Sequence, residues 1–356
     1  MVSQNQEALW RWQHTPREKP SLLLDALEFS EIPGWLDDNH CAALSCYLRS
    51  AAMVEPRLPV PESSSLKSLL SSANAARIFF EENFVPQRVK AEAGLLTSYF
   101  EPVLWGSRTP SPAFPVPVYR RPADLEALAA EHALVTIGLT AGRSVSGQLV
   151  PYFTRSEIEA GALHGRGLEI LYLADPIHAF IMHVQGSGRV ELEGGTTVRL
   201  SFDGKNGHPY TSISKILIKR GHLAWDDAHL DGMVSSLRAM AQSDVLLAEN
   251  KSYIFFKELD VSETAPRGSM GTELSAGRSL AADPLYHDPG LPIWVAAPEL
   301  FYEGAPFRRL VVAQDTGSAI KGAQRGDIFA GQGAEAGRVA GRIRHKCEFI
   351  VLRPRH

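Results

Sequence analysis

No run of eighteen apolar residues occurs anywhere in this 356-residue chain, so the sequence offers no membrane-spanning helix. Cysteine is scarce. Cys41, Cys46 and Cys347 are an odd set of three, better suited to small apolar packing than to a disulfide framework. An excess of one charge is also missing: 36 basic against 40 acidic residues leave a net charge of −4 with no like-charged block. That removes the electrostatic case for nucleic acid or an anionic membrane surface. The opening MVSQNQEALWRWQHTPREKP lacks the apolar core and small-residue cleavage site of a signal peptide.

Familiar catalytic signatures are absent as well. There is no HExxH or paired CxxC for a metal, and no GxSxG elbow for a serine nucleophile. The histidines nearest to a pattern, His178 and His183, would face opposite ways on a strand. Neither a metal nor a cofactor is expected. GQGAEAG, residues 331–337, has the wrong spacing for a phosphate loop, and its glycines read as tight turns between strands.

What is present is ordinary globular material, 44% hydrophobic, with a length that suggests two domains. After a polar start, Leu44, Tyr47, Leu48 and Ala51 recur at helical spacing, as do Leu66, Leu69, Leu70 and Ala73. From residue 93 the period becomes alternating. In AGLLTSYFEP, Thr97, Tyr99 and Glu101 share one face of a strand and Leu96 and Phe100 the other. PSPAFPVPVYRRP is too proline-rich for a central strand and reads as a loop or edge, and ADLEALAAEHA as a short helix. HAFIMHVQ reads as a strand by alternation. Val190 and Leu192 then cross a Gly194-Gly195 turn to meet Val198, Leu200 and Phe202. TSISKILIKRG is a helix capped by Ser212 and stopped at Gly221, with another stripe at Leu230, Val234 and Leu237. KSYIFF, LPIWVAA, RLVVAQ, GDIFA and CEFIVLR are further strands. The pattern predicts a mainly β protein with peripheral helices, built on barrels rather than on a parallel sheet with crossovers.

Two carboxylates attract attention. Asp315 sits in DTG, but an aspartic protease needs two such aspartates, and only one DTG occurs. Asp327 lies in GDIF between a glycine and apolar side chains. A carboxyl group poorly solvated by such walls has its pKa raised and suits general-acid work on a glycosidic oxygen. Most aspartates beside glycine are turn residues, and composition alone does not decide the matter.

AGLLTSYFEP, IMHVQGSGRV, GKNGHPYTSISKILIKRG, SYIFFKE, GTELSAGRSLA and VVAQDTGSAIKGAQRGDIFAGQGAEAGRVAG, in this order, resemble the lytic murein transglycosylase A family (glycoside hydrolase family 102) from about residue 90 onward. The resemblance implies a double-psi β-barrel domain with an inserted smaller β-barrel domain and a groove between them. It also implies cleavage of the β-1,4 link between N-acetylmuramic acid and N-acetylglucosamine of peptidoglycan, without water, leaving a 1,6-anhydro ring. The family's single catalytic aspartate falls on Asp327, with Asp315 in a supporting role or as a turn residue. Glycan contacts are expected from Thr97, Tyr99, Glu101, Gln185, Ser187, Tyr210, Ser212, Lys215 and Lys321, although Ser212 serves equally as a helix cap.

Boundaries are expected at 1–103 plus 247–356 for the catalytic domain and 104–246 for the insert. The partner is the glycan strand, the expected state a monomer, with other cell-wall enzymes as further partners. The substrate's place implies the periplasm, with outer-membrane association. Family members often carry a lipid on an N-terminal cysteine, which Cys41 is too deep to supply. The alternatives are a hydrolase in which Asp315 activates water, a catalytically weak cell-wall-binding module and, last, a protease.

Overall fold

The computed structural model describes residues 20–54, 58–129, 131–259 and 265–355. The polar start, residues 1–19, and part of the proline-rich loop, residues 55–57, lie outside them. The chain divides into two compact units. One is Met1–Tyr99, Arg267–Gly331 and Arg342–His356; the other is Phe100–Pro266 and Gln332–Gly341. The return therefore comes at 267 rather than 247, because the strand Ile254–Leu259 pairs with Thr197–Lys205 and stays with the insert. Residues 332–341 join the insert as well.

The first unit is a closed β-barrel. Its strands run Arg344–Pro354, Pro292–Tyr302, Ala305–Asp315, Ser279–Ala282, Arg325–Gln332 and Gly94–Glu101, and the last pairs back onto the first. Phe84–Val89 and Leu24–Ala26 extend the sheet from Arg344–Pro354. The strands read from LPIWVAA, RLVVAQ, GDIFA and CEFIVLR are all there. Closure leaves no free edge among the barrel strands.

Helix His40–Ala51 starts where the Asn39 side chain accepts from the Ala42 amide, and it buries Leu44, Tyr47 and Ala51. Those side chains join Trp35, Phe80, Phe84, Trp294 and Leu310 in one core. At about 1.5–3 kcal/mol for each large apolar side chain buried, this core outweighs the polar contacts that fix the helix to the barrel. The segment after residue 63 is two helices, Leu66–Ser71 and Ala73–Asn83, broken where Ser72 caps the second. Its buried face is Ala76, Phe79 and Phe80, and Leu70 is exposed. The three cysteines are free, with Cys46 and Cys347 buried.

The second unit holds a six-stranded sheet in the order Ile254–Leu259, Thr197–Lys205, Ser187–Leu192, Val103–Ser107, Glu169–Leu173 and Val116–Tyr119. Its two edge strands approach each other. The proline-rich Val116–Tyr119 is an edge, where a missing N–H costs no ladder bond. Ser187–Leu192 and Thr197–Lys205 form the expected hairpin, with Val190 opposite Val198 and both turn glycines at positive φ. Helices Ile213–Lys219, with Ser212 as its cap, and Leu230–Arg238 also match their patterns.

Three sequence expectations are overturned in this unit. HAFIMHVQ is not a strand but most of helix Pro176–Gln185, with Asp175 accepting from the Ile177 and His178 amides and Gly186 left-handed at the C-cap. Six of its residues are buried, so apolar side chains fall at nearly every position and imitate alternation. ADLEALAAEHA is not a helix: Glu126–Ala127 pairs with Ala141–Val145 in a three-stranded sheet, and only Ala133–Thr136 is helical. A helix that short has little stability of its own, and sheet pairing prevails. GQGAEAG does not turn between barrel strands but finishes one strand and opens helix Gly333–Ala340.

Candidate active site

Asp327 lies on Arg325–Gln332, antiparallel to the short strand Ser279–Ala282, with Ala281 as its register partner. Asp315 ends Ala305–Asp315, which runs parallel along the other side of the same short strand, and its partner is also Ala281. Residues opposite one another on neighbouring strands share a face, so both carboxylates rise beside the Ala281 methyl. Two strand spacings put their Cα atoms roughly 10 Å apart.

Asp315 reaches this register through a bulge. Leu280 pairs with Ala313 and Ala281 with Asp315, so Gln314 has no partner on the short strand. Gln314 is fully buried instead, donating to Cys46 O and Ser50 Oγ and accepting from Ser279 Oγ at 2.6 Å. The extra residue thus buries an amide and aims the next carboxylate at the site.

The strand Gly94–Glu101 flanks Arg325–Gln332 on its other side. Thr97 donates through Oγ1 to Asp327 Oδ1, and the same Oγ1 accepts from Arg325 Nη2 at 2.8 Å. The Asp327 side chain is half-buried. Desolvation raises its pKa to about 6, the Thr97 hydrogen bond and the Arg325 charge pull it down, and the Asp315 charge pushes it up. A carboxyl in that range can hold a proton near neutrality and release it readily.

Asp315 differs. Its Oδ1 accepts from the Ser269 and Thr316 amides, both at 2.8 Å, and its Oδ2 accepts from Tyr99 Oη at 2.8 Å. Burial raises its pKa, and these donors oppose the rise by stabilising the anion. Tyr99 leans on Phe329 with ring centroids 5.4 Å apart. Burial and the neighbouring carboxylate push the Tyr99 phenol up, so it remains a neutral donor.

The structure therefore brings Thr97, Tyr99, Asp315 and Asp327 onto one face of the barrel. Lys321 does not join them: its Nζ is 3.7 Å from Asp283 Oδ1, and its side chain is largely exposed.

The other expected contacts belong to the second unit. Glu101 is fully buried, 3.1 Å from Arg199 Nε, and desolvation raises its pKa to about 7 against the pull of Arg199 and Arg189. It fills a structural position and does not share solvent with Thr97 and Tyr99. Gln185 Oε1 accepts from the Phe100 amide at 2.9 Å, and Ser212 Oγ caps its helix through the Lys215 amide. Ser187 opens its strand opposite Ser201, Lys215 is exposed, and Tyr210 is 40% exposed. Among the described residues, no group of three or more His, Cys, Asp and Glu side chains is placed to hold a metal ion.

Comparison with known proteins bears directly on this geometry. Residues 95–257 match the family model described as the MltA specific insert domain, and residues 278–353 match the 3D domain. A crystal structure of a membrane-bound lytic murein transglycosylase from Agrobacterium tumefaciens superposes with a TM-score of 0.81 at 34% identity, covering 93% of this chain and 97% of that one. The chain belongs to the lytic murein transglycosylase A family. A curated relative from Vibrio cholerae, named membrane-bound lytic murein transglycosylase A, is 35% identical over 259 residues, 70% of this chain. The match spans 63% of that relative's own length, less than two thirds. The Escherichia coli member, solved with bound chitohexaose, gives a TM-score of 0.69 at 26% identity over 96% of this chain and 94% of that one.

Sequence reading missed three contributors to the site. Arg325 lies two residues before Asp327, on the same side of its strand, which was a signal available in the alternation. Ala281 has no chemistry to mark it, and its part is to be small. The Ser269 amide belongs to a loop, and a backbone donor leaves no mark in a sequence.

Proposed function

We propose that the protein is a peptidoglycan lytic transglycosylase in which Asp327 acts first as general acid and then as base. The observation that carries this reading is the half-buried Asp327 carboxyl, raised to about 6 and held at Oδ1 by Thr97. The names of its relatives support murein as the substrate, and the chitohexaose on the E. coli member supports an amino-sugar chain as the ligand.

Protonated Asp327 gives its proton to the N-acetylglucosamine O4 as the C1–O4 bond breaks. The 6-hydroxyl of the same muramyl residue attacks C1, and its proton passes to the Asp327 carboxylate. A 1,6-anhydro ring forms, the acid is restored and no water is consumed. The nucleophile is tethered to its own electrophile, so its effective concentration is high without a second carboxylate.

Asp315 serves as a fixed negative charge. It favours the proton on Asp327 and faces the positive charge that develops on the sugar. A hydrolytic role as water-activating base fits it poorly, because both its oxygens already accept hydrogen bonds from Ser269, Thr316 and Tyr99. Thr97 and Tyr99 border the reacting sugar, and on the second unit Tyr210, Lys215 and Ser187 are candidate glycan contacts. Murein as the substrate supports the periplasm as its place of work; we further infer a monomer that associates with the outer membrane and works alongside other cell-wall enzymes.

Mass analysis of soluble products from purified peptidoglycan tests the reading, with wild type beside Asp327→Asn. Products one water lighter than hydrolytic muropeptides, absent with the variant, are expected. Fully hydrated products would overturn it in favour of hydrolysis, and bound glycan without turnover in favour of a binding module.

A further inference from the structure

Arg325 reaches Asp327 through an intermediary. Its Nη2 donates to Thr97 Oγ1 at 2.8 Å, while its Nη1 donates to Leu95 O at 3.2 Å and to Gly326 O. These carbonyls belong to the neighbouring strands Gly94–Glu101 and Arg325–Gln332 and anchor the guanidinium to both. A guanidinium has donors and no acceptor, and a threonine hydroxyl has a single proton. With Arg325 donating into Oγ1, that proton cannot point back at Arg325. It is directed to the remaining partner, Asp327 Oδ1.

We propose that Arg325 is a positioning residue that acts through Thr97, fixing its hydroxyl as a permanent donor to Asp327 Oδ1 and so reserving Oδ2 for the catalytic proton. The inference rests on the reading of Asp327 as the acid and deepens it. A freely rotating hydroxyl could accept from a protonated Oδ1 as easily as donate to an ionised one, leaving the proton on the wrong oxygen in part of the molecules. A locked donor removes that ambiguity. It also stabilises the carboxylate that must form when the leaving oxygen takes the proton.

The other groups facing this pair are few. Asp315 and the phenol of Tyr99 lie on the Asp327 side. Cys347 and Arg344, on Arg344–Pro354, face Arg325. None of these is placed to direct the Thr97 proton.

The test is a double-variant cycle with two readouts: the carboxyl NMR titration of Asp327, assigned against Asp327→Asn, and the pH–rate profile on peptidoglycan. Thr97→Val and Arg325→Met are each expected to raise the Asp327 midpoint by about one pH unit, since the first removes the donor to the ionised form and the second removes what aims it. The double variant is expected to rise by clearly less than the sum, because both changes break one relay.

An Arg325→Met variant with an unmoved midpoint and only a lower melting temperature would reduce Arg325 to a structural strut and overturn the proposal. Fully additive shifts would also overturn it, because Arg325 would then act by charge alone. The NMR titration needs no turnover, so the two ideas fail separately. A shifted midpoint that the rate profile ignores would remove Asp327 as the acid and leave the relay intact.

Discussion

Replacing Asp327 by Asn should make the protein more stable at pH 8 while abolishing turnover. The Asp327 carboxyl is raised from 3.8 to about 6, a difference of roughly two units. At 1.36 kcal/mol for each unit, the ionised side chain costs the fold at most about 3 kcal/mol. Partial exposure trims that, so a gain of about 1–3 kcal/mol is expected. The sign follows from proton binding. Between pH 3.8 and about 6 the native chain binds more protons at this site than the unfolded chain, so stability falls as pH rises through that window. Above it the penalty is complete, and below pH 3.8 it is gone. Asn carries no penalty at any pH and still accepts from Thr97. Urea unfolding of both proteins at pH 4, 6 and 8 should therefore give curves that nearly coincide at pH 4 and separate by pH 8. An advantage independent of pH, or a variant less stable at pH 8, would refute the claim that desolvation holds this carboxyl up.

Tyr99→Phe removes the donor to Asp315 Oδ2 and should cost about 1.5–3 kcal/mol in calorimetry. Without that donor Asp315 binds a proton more readily and carries less negative charge beside Asp327, so the alkaline limb of the pH–rate profile should move to lower pH, opposite to Arg325→Met. Glu101→Gln should flatten the pH dependence of unfolding in the second unit, since Glu101 is raised from 4.5 to about 7 and its ionised form destabilises that unit as pH rises through this window. Gly268→Ala should cost about 1–3 kcal/mol in urea unfolding and lower kcat further, because a Cβ there would lie 2.4 Å from Gln314 O and would shift the Ser269 amide that holds Asp315.

Alternation made Gly94–Glu101 readable, because Gly94, Leu96 and Phe100 are buried while Leu95, Thr97 and Tyr99 between them are only partly so. It also put Thr97 and Tyr99 on a common face. The same rule misplaced Glu101: the strand passes into the second unit after Tyr99, and the third member of the face meets a buried arginine instead of solvent. Helix Pro176–Gln185 was hidden by its own burial, although Asp175, Pro176 and Gly186 marked both its ends. Strand Ser279–Ala282, four fully buried residues at the centre of the site, has no alternation to reveal it. Nor does any local pattern announce the Gln314 bulge, which depends on a strand more than thirty positions earlier. What the sequence could not contain was the meeting of two strands at one alanine.

On the proposed mechanism, that meeting would let one carboxyl serve both halves of the reaction. An acid that later becomes the base must neither hold its proton too tightly nor shed it before the sugar arrives. Enzymes with two carboxylates divide these demands between groups of different pKa. Here they are balanced on Asp327 alone: burial and the Asp315 charge favour the protonated form, and Thr97 and Arg325 favour the ionised one. Ala281 leaves room for both charges on its face, and the bulge at Gln314 keeps Asp315 close enough to be felt without sharing the proton. Changes on the two sides of the balance should therefore move the acid midpoint in opposite directions and both slow the reaction, one by stranding the proton and the other by losing it early. Combining Tyr99→Phe with Arg325→Met should return the midpoint toward that of the native enzyme without restoring the rate, because the Thr97 donor would still be unaimed.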